Sequence, residues 1–214
     1  MYTAYIFDLN GTIIDDMQFH AKAWYDILTH DLNAKITFEE TILQMYGKNS
    51  ELLERVFGKG YFSEEEMEAL SFEKEKRYQA AFKPHLKLID GLGEFLEAAQ
   101  QAGIKMAIGS AAIPFNIDFI LDNLHLRKYF PIVVSADDVV LSKPDPETFT
   151  KAANILGVPY NECLVFEDSP KGVEAAKNAG MDALAITTLH TPDEFHITDN
   201  VIKFVTDYNG LALL

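Results

Sequence analysis

Four short segments of this 214-residue chain, far apart in sequence, carry the residue types of one phosphoryl-transfer site: Asp8-Leu9-Asn10-Gly11-Thr12, Gly109-Ser110-Ala111, Ser142-Lys143-Pro144 and Glu167-Asp168-Ser169. Each falls at or after the end of an apolar run. Tyr5-Ile6-Phe7 precedes the first and Met106-Ala107-Ile108 the second; Ile132-Val133-Val134 lies some residues before the third, and Leu164-Val165-Phe166 precedes the fourth. Read as buried parallel strands, these runs bring their carboxyl ends to one edge of a sheet, where open α/β folds place ligands. A nucleophile, a hydroxyl, a cation and two carboxylates would then meet in one crevice.

Each group has a distinct chemical use. Asp8, directly after a strand and shortly before Gly11, sits where a tight turn can aim its carboxylate out of the sheet edge, and a carboxylate that attacks phosphorus forms an aspartyl-phosphate. Taken alone, an Asp-x-Asn-Gly segment is more often a turn, and the other three motifs reverse that judgement. Gly109 lets the backbone approach an anion while the Ser110 hydroxyl and the Ala111 amide donate to phosphate oxygens; a lone Ser after a strand is otherwise a helix cap. Lys143, followed by Pro144 and an expected helix start at Asp145-Pro146-Glu147, could neutralise both the nucleophile and the transferring group; otherwise it is a solvated surface lysine.

Glu167 and Asp168 are adjacent carboxylates after a buried strand, and they repel unless a cation lies beside them. Mg²⁺ resolves this, because it takes oxygen ligands and keeps several waters. Asp8, the backbone carbonyl of Asn10, Asp168 and a water held by Glu167 make a suitable shell.

Composition narrows the partners. The net charge of -15 opposes binding to polyanions, so nucleic acid is not expected, while 48% hydrophobic residues suffice for a full core. A small anionic substrate needs local cations or a metal to reverse the field inside the site. Cys163 is the single cysteine and reads as a buried structural thiol, consistent with a reducing compartment. No apolar segment approaches the roughly 20 residues of a membrane span, and Met1-Tyr2-Thr3 opens no leader pattern, so a cytoplasmic protein is expected, with a monomer favoured.

The elements that must position these groups follow from hydrophobic periodicity. From residue 16 to about 81 strand-like runs disappear, and apolar residues recur at helical spacing: Phe19, Ala23, Trp24, Ile27 and Leu28; Ile42, Leu43 and Tyr46; Leu52, Leu53 and Val56; Met67, Leu70 and Phe72. Ser63 with Glu66 matches a capping box. From Pro84 helices near 91–102, 114–124, 146–156 and 170–179 alternate with strands near 104–109, 132–134, 163–167 and 183–187. The expected fold is α/β: a Rossmann-like, doubly wound parallel sheet formed by residues 1–15 and 83–214, with a helical cap inserted over 16–82. The two crossings, near Ile14 to Asp16 and Phe82 to Pro84, are of the kind that commonly hinge.

On Asp8, Ser110, Lys143 and Glu167-Asp168, four motifs in order, the chain resembles the haloacid dehalogenase superfamily over essentially its whole length. Within it, the resemblance points to the branch containing β-phosphoglucomutase and related sugar-phosphate phosphatases. The resemblance implies Mg²⁺ held by Asp8, Asn10, Glu167 and Asp168, phosphate held by Leu9, Ser110, Ala111 and Lys143, and Asp8, Asn10 and Lys143 as the catalytic set. Phe19-His20-Ala21-Lys22-Ala23-Trp24 is similar to the cap helix of the mutase branch, which implies that His20 helps to close the site and to handle protons, with Lys48 as a further cap contact to substrate.

One position departs from the family pattern. The family normally carries a second Asp two residues after the nucleophile as general acid and base, and here that position is Asn10. An amide hydrogen-bonds, and its backbone carbonyl can bind metal, but it cannot exchange a proton at neutral pH. Loss of such a group removes about 10² to 10⁴ in rate, which leaves room for a slow phosphatase and little for a fast mutase. An engineered change, a different proton carrier such as His20, a protein retained for binding and a turn-favouring Asn-Gly pair are all compatible with Asn10. Near Lys48 the cap loop has no Arg before Arg55, and Ala111-Ala112-Ile113-Pro114 is not a polar run, so a second phosphate site is depleted and hydrolysis is favoured. The expected activity is a Mg²⁺-dependent phosphatase of small phosphate esters, acting on a small phosphorylated metabolite, with β-phosphoglucomutase and a catalytically weak phosphometabolite-binding protein as alternatives.

Overall fold

The computed structural model describes residues 2–214. Contacts divide the chain into two compact units, residues 1–15 with 87–214 and residues 16–86.

The first unit is built on a six-stranded sheet: β1 (Ala4–Phe7), β2 (Lys105–Gly109), β3 (Ile132–Val134), β4 (Cys163–Glu167), β5 (Asp182–Ile186) and β6 (Val201–Val205). The order is β3-β2-β1-β4-β5-β6 and every pairing is parallel. The order reverses at β1, whose neighbours are β2 and β4, so loops leaving β1 and β4 flank the switch point where such sheets bind ligands. Alternation along β1 sorts its side chains. Ala4 and Ile6 join the aliphatic cluster of Val165, Phe149, Ala152 and Val173. Tyr5 and Phe7 face the opposite way: Tyr5 stacks on Phe95 at 5.7 Å between centroids, and Phe7 stacks on Phe166 at 4.3 Å. A strand buried on both faces needs a continuous apolar run, which is what Ala4–Phe7 and Cys163–Glu167 supply up to their last residues.

The remaining helices of this unit lie close to the spans their periodicity predicts: Leu92–Gln101, Pro114–Asn123, Glu147–Leu156 and Pro170–Asn178. Strand β6 was not anticipated. It follows a polar stretch, and its residues are half-buried or exposed, so Val-Ile-Lys-Phe-Val at the edge lacks the fully buried signature of the central strands.

The second unit is helical: Met17–Asp26 continued by a π-helical turn over Ile27–Asp31, then Phe38–Leu43, Asn49–Phe57 and Glu64–Phe82. Trp24, Ile27, Leu28, Leu52 and Leu53 form its buried core. The capping box at Ser63 and Glu66 is formed, and a second one closes over Thr37 and Glu40. The periodicity around Ile42 overreaches: the helix stops at Leu43, which is 71% exposed, and Tyr46 lies beyond it.

Candidate active site

The first unit brings Asp8, Lys143, Glu167 and Asp168 together. Asp8 continues from β1 and donates its amide to Phe166 O at 2.9 Å, which locks the β1 exit to β4. Glu167 ends β4 and Asp168 follows it, so the two side chains leave the backbone in different directions, although their carboxylates come within 4.8 Å of each other. Glu167 faces the start of the Pro170–Asn178 helix: its Oε2 accepts from the Ser169 amide at 2.8 Å and the Ser169 hydroxyl at 2.9 Å, while Ser169 Oγ caps that helix by accepting from Gly172 N at 3.0 Å. Asp168 faces the loop after β1, where Gly11 has φ +76° and a Cβ would sit 2.1 Å from Asp168 Oδ2. Gly11 is therefore required twice, by its left-handed backbone and by the carboxylate against it.

Lys143 is the hub. Its Nζ donates to Asp8 Oδ1 at 2.6 Å, to Glu167 Oε1 at 2.7 Å and to Gly109 O at 3.2 Å, which uses all three ammonium protons. The ammonium also lies 4.6 Å from the Phe149 ring centroid. Burial acts to lower the Lys143 pKa, but the charges of Asp8 and Glu167 outweigh it and push it above the ordinary lysine value. The lysine remains a cation throughout the physiological range.

One cation cannot balance three buried carboxylates. Burial pushes the Asp8 carboxyl up from 3.8 to about 7; Lys143 pulls the other way and Glu167 adds to the rise. Burial, then Glu167 and Asp8, raise Asp168 well above its usual range. Asp8, Glu167 and Asp168 offer carboxylate oxygens all within 4.8 Å of one another. This hard-oxygen, charge-rich donor set fits Mg²⁺, a small divalent ion that would supply the missing positive charge.

Ser110 is buried at the end of β2, beside β1, where its amide donates to Val134 O at 2.9 Å and its Oγ accepts from Ala112 N at 3.1 Å. The turn leaves Ala111 half-buried at the same sheet edge. Leu9 is fully buried, and its carbonyl accepts the Ile13 amide at 2.8 Å and the Thr12 amide at 3.4 Å. Asn10 is half-buried on that turn, in a bridge with Ile14.

His20 and Lys48 belong to the second unit. His20 stacks on Tyr78 at 3.7 Å between centroids, with Nδ1 2.7 Å from Lys74 Nζ and Nε2 3.3 Å from Asp16 Oδ2. An ammonium can only donate, so Nδ1 accepts and the ring proton is on Nε2, facing Asp16. Tyr78 Oη also donates to Asp16 Oδ2, at 2.5 Å. Lys48 occupies the N-cap position of the Asn49–Phe57 helix, where its amide donates to Glu51 Oε2 at 2.9 Å.

Sequence reasoning passed over Gly172. Its signal was present, because a glycine in the first turn of a helix forfeits about 1 kcal/mol relative to alanine and so asks for a packing reason. The reason is Glu167, whose Cδ would lie 1.8 Å from a Cβ at Gly172.

The chain as a whole resembles known proteins. A sequence model of the haloacid dehalogenase-like hydrolases matches residues 2–180. A fructose-1-phosphate phosphatase of Escherichia coli (strain K12) is 32% identical over 193 residues, covering 88% of this chain and 98% of that protein. A validoxylamine A 7'-phosphate phosphatase of Streptomyces hygroscopicus subsp. limoneus is 25% identical and covers 97% and 96%. Among solved structures, a family IA haloacid dehalogenase hydrolase of Entamoeba histolytica superposes with a TM-score of 0.88 at 28% identity, covering 100% of this chain and 96% of that one. A β-phosphoglucomutase of Clostridium difficile gives 0.85 at 26% identity, covering 100% and 94%. The lysine-bridged carboxylates at the switch point of a parallel sheet thus stand in a chain that, by its family match and its 32% identical relative, is an enzyme of the haloacid dehalogenase-like hydrolase family.

Proposed function

We propose that this enzyme is a Mg²⁺-dependent phosphatase of small phosphate monoesters, sugar phosphates in particular, that works through an aspartyl-phosphate on Asp8. The observation that carries the reading is Lys143 bridging Asp8 and Glu167, at 2.6 and 2.7 Å, with Asp168 beside them at the β1–β4 switch point. The phosphatase relatives support the substrate class.

In this reading the ionised Asp8 carboxylate attacks phosphorus, the P–O bond to the leaving alkoxide breaks, and water later attacks the acyl phosphate and releases inorganic phosphate. Lys143 orients Asp8 and neutralises charge that develops on the transferring group. Ser110 and the Ala111 amide, with the Leu9 backbone, hold phosphate oxygens. Mg²⁺, held by Asp8, the Asn10 carbonyl and Asp168 with Glu167 behind a bound water, would supply charge neutralisation and alignment. Asn10 cannot give the leaving oxygen a proton, so turnover is slow. The helical unit selects the substrate, through His20 and Lys48.

A phosphate-release screen over a metabolite panel, with Mg²⁺ and with chelator, tests this reading. Release from sugar phosphates that needs Mg²⁺ and vanishes in Asp8→Asn is expected, with the ranking of substrates altered in His20→Ala and Lys48→Ala. No release from any monoester would overturn it. The likeness to the Clostridium difficile β-phosphoglucomutase favours a second reading, phosphosugar isomerisation, in which the same screen yields an isomer in place of free phosphate.

A further inference from the structure

The loop that carries Asp8 and Asn10 is tied down by residues from distant parts of the first unit. Three successive carbonyls each accept a hydrogen bond from a different segment. Thr188 Oγ1 donates to Gly11 O at 2.7 Å, Tyr208 Oη to Thr12 O at 3.0 Å, and the Ile89 amide to Ile13 O at 2.9 Å. Thr188 lies in the loop after β5 and is half-buried; Tyr208 lies beyond β6 and is 2% exposed. Both lie past residue 180, where the family match ends.

Tyr208 is itself fixed. Its amide donates to Asp90 O at 2.9 Å, its ring packs on Phe95 and Phe166, and a Cβ on Gly91 would sit 2.5 Å from its carbonyl carbon. The phenol therefore presents its hydroxyl to Thr12 from a rigid base, and Thr12 in turn lies against Asp168, with Oγ1 3.5 Å from Oδ1. A loop fixed at Gly11 and Thr12 fixes the exit direction of Asp8 and the peptide of Asn10. Small misplacement of a reacting group costs rate steeply.

We propose that Thr188 and Tyr208 are positioning residues for phosphoryl transfer, holding the nucleophile loop through the Gly11 and Thr12 carbonyls. The proposal rests on the assignment of Asp8 as nucleophile. Neither hydroxyl touches the reacting atoms, so their removal acts on the rate of attack with little effect on substrate affinity.

The test uses the full-length protein with Mg²⁺ and p-nitrophenyl phosphate in single-turnover mode, reading phosphorylation of Asp8 by mass spectrometry. Tyr208→Phe and Thr188→Val are expected to lower that rate about tenfold with KM within about twofold, and Thr188→Ser to match wild type. Val158→Ala, a core truncation elsewhere in the unit, gives the effect of lost stability alone. Rates in Tyr208→Phe and Thr188→Val within twofold of wild type, or reduced no more than in Val158→Ala at equal loss of Tm, would overturn the proposal. Amide hydrogen exchange of Gly11, Thr12 and Ile13 gives a readout independent of activity. Faster exchange in both variants is expected, and unchanged protection would overturn the clamp even if wild-type Asp8 proves not to be phosphorylated, an outcome that by itself counts against the nucleophile assignment.

Discussion

Gly172 presents its bare α-carbon to the carboxylate of Glu167, so closely that a Cβ would stand 1.8 Å from Cδ. Glu167 has nowhere simple to go, because one oxygen is held by Lys143 and the other by Ser169. Gly172→Ala gains about 1 kcal/mol in helix propensity, and relieving the overlap costs about 1–3 kcal/mol. The displaced Glu167 also releases Lys143 from its buried bridge, a loss of about 3–5 kcal/mol, so stability is expected to fall as well. Activity is expected to fall about 10²-fold, more than the lowered Tm accounts for at a temperature where the variant is still folded. Kinetics alongside thermal melting checks this, and an active Gly172→Ala enzyme would mean that Glu167 does not set the position of Lys143.

Metal affinity separates the two adjacent carboxylates. Glu167 already has both oxygens engaged by protein donors, while Asp168 faces the Gly11–Thr12 loop. Asp168→Ala is expected to weaken Mg²⁺ binding more than Glu167→Ala, as measured by calorimetric titration, and the reverse order would exchange their roles.

A pH signature follows from the raised Asp8 carboxyl. Without Mg²⁺ the folded chain keeps that proton to about pH 7, whereas the unfolded chain releases it near 3.8. Between those values the unfolded state binds fewer protons, so this group removes stability as pH rises, and the loss is complete above about pH 7. Asp8→Asn has no such titration. Urea unfolding in chelator at stepped pH is expected to show the variant gaining on wild type from pH 4 to 7, with Mg²⁺ erasing the gain. A pH-independent difference would contradict the raised carboxyl of Asp8.

Much of this geometry was legible in the sequence because buried strands announce themselves as apolar runs, and a polar residue at the end of such a run is conspicuous. That logic located Asp8, Ser110, Glu167 and Asp168 at strand ends, and the parallel order of the sheet followed from the alternation of elements. Lys143 was harder, since it leaves a loop after β3 and is marked only by its neighbours. Thr188 and Tyr208 gave no signal: a hydroxyl that donates to a backbone carbonyl leaves no spacing and no charge pattern. The buried partners around His20, namely Asp16, Lys74, Glu75 and Tyr78, were also hidden. Lys74 and Glu75 sit in a Glu-rich helix that reads as solvated, and only the partners they find in three dimensions explain their burial: Lys74 with His20, and Glu75 with Lys74 and Asn49.

Asn10→Asp would restore a proton donor to the turn after Asp8 with almost no change in size. Turnover is expected to rise about 10²-fold or more on the best monoester substrate, with a new bell-shaped pH dependence and little change in KM. Steady-state kinetics across pH checks it, and an unchanged rate would show that another group already carries the proton.

The central claim is that Asp8 takes the phosphoryl group. Acid-quenching the enzyme milliseconds after mixing with Mg²⁺ and a phosphate monoester, then mapping phosphate by peptide mass spectrometry, reads it directly. A labile acyl phosphate on Asp8 in wild type, absent from Asp8→Asn, is the predicted result. Equal labelling of the two proteins, or label on another residue, would contradict it.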